Sequence, residues 1–158
     1  MDTKAIFKTE NYEFISLKLL RKKRKWPFEE QIASKEAAGK LFQMLIGEED
    51  RETLSIVGLD VNKYINNYAV AHVGTLSKSI IHPREIFKYP ILSNSDSLII
   101  THNHPSGCLK PSEQDITITK TIVKAGEILG IELLDHLIVN DKEYLSIRNM
   151  YEELFNEE

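Results

Sequence analysis

His102 and His104 stand two residues apart in the run Thr101-His102-Asn103-His104-Pro105-Ser106-Gly107-Cys108-Leu109-Lys110-Pro111-Ser112-Glu113-Gln114-Asp115. On a strand, side chains two apart share a face, so both imidazoles can aim at one point. Pro105, Gly107 and Pro111 impose a loop in which the chain can turn back. Asp115 then falls in the first turn of a following helix and can be delivered to the same point. Two imidazoles and one carboxylate make a three-donor set with a fourth tetrahedral position open to water. Catalytic zinc sites keep that position, whereas structural sites close with four protein ligands. A single cysteine, Cys108, argues against a thiolate-rich closed site. The same spacing has a plainer reading, because Ser112-Glu113-Gln114-Asp115 also satisfies a capping box. The two roles are compatible: a cap rigidifies the loop that carries Asp115.

The elements that must position these residues are legible on either side. Ile32, Ala33, Ala37, Ala38, Leu41, Phe42 and Leu45 recur at helical spacing and predict an amphipathic helix ending near Gly47. Residues 53–59 are apolar with β-branched members and read as a strand. A turn over 60–63 leads to a second strand near 64–73, which forms a hairpin with the first. Pro83 sits at a helix start, with 84–92 following. Residues 97–102 have the form of a buried strand ending in polar residues. Ser112 opens a helix that runs to about Leu129 and stops at Gly130. Residues 131–140 and 143–147 read as two more strands, and 149–155 as a final helix. Interleaved strands and helices around one mixed sheet make the class α/β or α+β.

The chain has 158 residues, 42% hydrophobic and 28% charged, which fits one soluble domain with its own core. A formal net charge of -4 excludes a uniformly basic nucleic-acid binder, though not a local basic patch. The apolar runs are too short to span a bilayer, so no membrane partner is expected. The first ten residues lack the apolar run of a secretory signal. Together with the lone cysteine, that predicts a cytoplasmic protein. Lys18, Arg21, Lys22, Lys23, Arg24 and Lys25 form a basic cluster ending at Trp26-Pro27, after a weak strand pattern over 14–20. Such a cluster can hold the phosphates of a nucleic acid, or serve as a solvated arm. Few aromatic residues are interleaved with it, which favours the arm. The expected organisation is an N-terminal basic arm over 1–30 and one domain over 31–158.

The pattern His-x-His-Pro, six residues, Ser, two residues, Asp resembles the metal signature of the JAB/MPN (JAMM) metalloprotease superfamily. The longer string from His102 to Gly107, with Pro111-Ser112 and Asp115, is more specifically similar to its RadC-like branch. Arg51-Glu52, Gly74-Thr75, Pro83-Arg84-Glu85 and Leu134-Asp135-His136 extend the likeness over most of the chain. The resemblance implies a JAB/MPN-like domain, a mixed curved sheet flanked by helices with a cytidine-deaminase-like architecture. It implies a Zn2+ ion held by His102, His104 and Asp115, with bound water as nucleophile. It also implies a glutamate from an earlier strand as proton shuttle, by position Glu52, and Ser112 as support for the oxyanion. The expected activity is that of a zinc-dependent hydrolase acting on a peptide or isopeptide amide. The alternative is the DNA-repair-associated role historically attached to the branch, with nucleic acid bound through the basic cluster. The His-x-Glu and Pro-Cys-x-x-Cys elements of zinc deaminases are absent.

Glu48, Glu49 and Glu85 rival Glu52, and any of the four can be an ordinary solvated acid. Glu52 is preferred because the edge of a strand holds it firmly. Asp135-His136 reads as a structural pair or as an outer partner of the site. Cys108 reads as a small side chain filling a gap, and His72 and His82 as surface or packing residues.

Overall fold

A computed structural model describes residues 31–74 and 81–156. The expected arm over 1–30, its basic cluster and the strand pattern over 14–20 lie outside the described residues.

Helix α1 (Lys35–Ile46) is capped by Ser34, whose hydroxyl accepts the Ala37 N–H. Strands β1 (Thr53–Leu59) and β2 (Ile65–Val73) form the expected antiparallel hairpin. Helix α2 (Pro83–Ser93) has its proline at the first turn, and the His82 side chain accepts from Arg84 N–H. Strand β3 (Ser97–Asn103) precedes helix α3 (Glu113–Leu129), and strands β4 (Glu132–Val139) and β5 (Tyr144–Ser146) follow.

The sheet order is β2-β1-β3-β4-β5. β3 and β4 are parallel, joined by the crossover through α3, and the other neighbours are antiparallel. β1 and β3 are buried along their whole lengths, as strands covered on both faces must be. One face packs Leu54, Ile56, Leu98 and Ile100 against Ile86 and Phe87 of α2 and Ile118 and Ile122 of α3. The other packs Val57, Ile99, Leu137 and Val139 against Ala38, Leu41 and Phe42 of α1. Gly126 lets α3 settle onto the chain that enters β4, since a Cβ there would lie 2.5 Å from the Ile131 carbonyl oxygen.

The C-terminal end departs from expectation. In place of one helix over 149–155 there is a single turn, α4 (Ile147–Met150), and then a 3₁₀ turn (Glu152–Leu154). Ser146 caps α4 through Asn149 N–H, so the helix starts earlier. Tyr151, at φ -139° and ψ 60°, leaves helical geometry and ends it. Among the described residues no helix is long and apolar enough to cross a membrane.

Candidate metal centre

His102 lies near the end of β3 and is fully buried. The strand alternation turns it to the α3 side of the sheet, in register with Leu54 of β1. His104 follows one residue beyond the strand, and its N–H still pairs with the Val139 carbonyl of β4. The ladder therefore carries the two-residue alternation through to His104. Gly107 then turns the chain at φ +78°, a left-handed value that glycine adopts without strain. Asn140 donates to the Gly107 carbonyl and His104 Nδ1 bonds the Cys108 carbonyl, so the loop is tied at both ends.

Asp115 arrives on the first turn of α3. Its Oδ2 accepts both the N–H and the hydroxyl of Ser112, each at 2.7 Å, and Ser112 Oγ accepts Asp115 N–H at 3.1 Å. The capping box is thus fully formed, and it coexists with an approach to both imidazoles. His102 Nε2 stands 3.3 Å from Asp115 Oδ1, and His104 Nε2 stands 3.8 Å from Oδ2. The two Nε2 atoms are 2.9 Å apart.

Donors placed at 2.0–2.1 Å around a tetrahedral zinc ion are about 3.3 Å from one another. The three separations here bracket that edge, and all three ligand atoms lie within 4.8 Å of one another. The donor set is also chemically suitable: both imidazoles use Nδ1 in other bonds and present Nε2 to the common point. These residues fit a divalent metal. Burial pushes the Asp115 carboxyl up, but the hydrogen bond and charge of His102, followed by the Ser112 bonds, outweigh it. The carboxyl is held well below the usual carboxylate range.

Behind His102 stands His136 of β4, in a ring-to-ring hydrogen bond of 2.9 Å between Nδ1 and Nε2. Complete burial, followed by the neighbouring His102, holds its imidazole well below the ordinary histidine pKa. Asp135 faces the other way, accepting from Ser146 Oγ and from the N–H groups of His136 and Arg148. Burial raises its pKa against those bonds. The pair is therefore divided: His136 joins the centre, and Asp135 anchors the start of α4.

Glu52 is half-buried immediately before β1, and its carbonyl accepts the Gly74 N–H. It lies two residues before Leu54, the β1 residue paired with His102. Glu48 and Glu49 are exposed in the turn after α1. Glu85 is engaged at 2.6 Å by Lys88 on α2. His72 of β2 pairs with Leu54 of β1, and His82 caps α2. Cys108 is exposed rather than filling a gap, and it serves the loop through its carbonyl.

Asn103 takes a role that only the fold reveals. Placed between the histidines, it faces the opposite side, where its Oδ1 accepts Thr53 N–H at 2.7 Å and its Nδ2 donates to the Glu49 carbonyl at 3.0 Å. It ties the segment carrying Glu52 to the end of β3. Strand alternation alone marks it as inward on the other face; its partners are non-local. Asn103→Ala strips a buried N–H of its acceptor and is expected to cost about 1–3 kcal/mol. A lowered urea midpoint with unchanged slope would show it.

A mixed sheet with helices on both faces and a His-x-His…Asp cluster at a strand end define a JAB-type domain. The chain belongs to the RadC-like JAB domain family, whose model matches residues 32–153. It is similar to a UPF0758 protein of Latilactobacillus sakei subsp. sakei (strain 23K), with 43% identity over 117 residues, 74% of this chain and 52% of that protein. A UPF0758 protein of Staphylococcus carnosus (strain TM300) is 41% identical over the same shares. One from Methanosarcina acetivorans is 42% identical over 65% of this chain and 44% of that protein. The chain spans about half the length of the curated relatives it matches.

Proposed function

We propose that this domain is a zinc-dependent hydrolase that cleaves an amide bond, of a peptide or an isopeptide. The observation that carries this reading is the convergence of His102 Nε2, His104 Nε2 and the Asp115 carboxylate, three protein donors rather than four among the described residues. Zinc, when bound, supplies Lewis acidity toward a carbonyl and acidifies water enough to make a nucleophile near neutral pH. The protein's own groups do the rest. Glu52 takes the proton of the attacking water and passes it to the departing amine. The Ser112 hydroxyl, which donates to Asp115 Oδ2, turns to the oxygen on which negative charge develops. Asp115 keeps its cap through the Ser112 N–H while that hydroxyl is away.

The test is hydrolysis of a mixed peptide pool and of lysine-isopeptide substrates. Turnover that a chelator abolishes and that zinc restores is the expected result. Cleavage indifferent to chelation, or restored by Fe(II) and not by zinc, would overturn the zinc reading, since a two-His, one-carboxylate set also suits iron.

A further inference from the structure

His136 is buried to 1% exposure and, among the described residues, makes two side-chain hydrogen bonds, neither of them to a carboxylate. Its Nε2 meets His102 Nδ1 at 2.9 Å, and its Nδ1 meets Thr119 Oγ1 at 2.7 Å. Thr119 Oγ1 in turn lies 2.7 Å from the main-chain carbonyl of Asp115. The direction of every bond follows from the end that has no proton to give. The Asp115 carbonyl only accepts, so the single hydroxyl proton of Thr119 goes there. Thr119 oxygen must then accept, and His136 Nδ1–H donates to it. Both ring nitrogens of His136 meet groups other than a carboxylate, and its one ring proton is already placed on Nδ1 by Thr119, which leaves His136 Nε2 as an acceptor. His102 Nδ1 must therefore carry a proton, so that once the ring gives up the proton it shares with Asp115, the lone pair falls on Nε2, the atom that faces His104 and Asp115.

We propose that His136, backed by Thr119, is a positioning residue that fixes the tautomer of His102 so that its Nε2 is free to hold a metal. This rests on the metal-centre reading above. The relay starts on the backbone of Asp115 and ends on the ring of His102, so it orients one donor from the residue that supplies another. Both anchors belong to elements that meet only in the fold: α3 carries Asp115 and Thr119, β4 carries His136. Without His136 the buried His102 Nδ1 would lose its hydrogen-bond partner. The proton would then move to Nε2, where His104 Nε2 and Asp115 can accept it, and the metal would have to displace it.

The experiment compares the parent with His136→Leu, His136→Gln and Thr119→Val, using two readouts. Nitrogen-15 imidazole shifts of the metal-free protein report the His102 tautomer, and competition with a chromophoric chelator reports zinc affinity. The parent should show Nδ1–H at His102. His136→Leu should move the proton to Nε2 and weaken zinc binding roughly 10–100-fold, the usual cost of losing an outer partner. The carboxamide of His136→Gln can accept from His102 and donate to Thr119, so it should recover most of the loss. Thr119→Val, close to the shape of threonine, should weaken zinc binding in the same direction should His136→Leu fail to fold. Zinc bound equally by the parent and both the His136→Leu and Thr119→Val proteins overturns the relay while leaving the metal centre standing. A loss in His136→Leu that folded His136→Gln does not recover overturns it too, because packing alone would then explain the loss. A parent that binds no stoichiometric metal overturns the metal centre, and the tautomer readout then separately judges the hydrogen-bond chain.

Discussion

The His104→Ala protein is expected to leave purification without stoichiometric zinc, and the parent to retain one ion per chain. His104 contributes one of three converging donor atoms, and its ring sits at the rim of the cluster, where truncation opens no large cavity in the core. The α3 cap and the core on either face of the sheet do not depend on it. The loss of affinity should exceed the roughly 10–100-fold that removal of an outer partner costs, because a bond to the metal itself disappears. Metal analysis by mass spectrometry, with thermal unfolding as a check on folding, reads the result. Equal zinc in the folded variant would remove His104 from the ligand set.

Glu52→Gln is expected to do the opposite: to keep zinc and lose turnover by about 10²–10⁴-fold, the usual worth of a positioned proton-transfer group. The substitution preserves size and hydrogen-bonding capacity and deletes only the ability to take a proton near neutral pH. The main-chain bond from Gly74 N–H to the Glu52 carbonyl is untouched, so the entry to β1 should stay in place. Unchanged turnover would move the base elsewhere. Glu85, tied to Lys88 on α2, is a poor replacement, because its carboxyl is already held below the usual range by that lysine.

Local signals account for how much of this could be read before the fold was known. Ser112 and Gly130 bracket α3 because a capping hydroxyl and a left-handed glycine act within a few residues of themselves. β1 and β3 are buried on both faces, which explains why no alternation of apolar and polar residues marks Ile56-Val57 or Leu98-Ile99-Ile100. The last helix departs from the expected 149–155 for a physical reason. Four residues make a single turn, too short to display a period, and Tyr151 breaks the geometry without being a glycine or proline.

The candidate centre divides along the same line. His102, His104, Ser112 and Asp115 lie within one segment, so strand alternation and helix capping bring them into register from spacing alone. Asn103 and His136 acquire their partners only because β3 pairs with β1 on one side and β4 on the other. Thr119 joins them because α3 lies across that sheet. Residue type and spacing determined the donor set, since those interactions span a strand end and one helical turn. The tertiary structure alone decided which nitrogen of His102 is presented and what ties down the segment before β1. Those depend on hydrogen bonds between groups far apart in the chain, whose geometry no local pattern encodes.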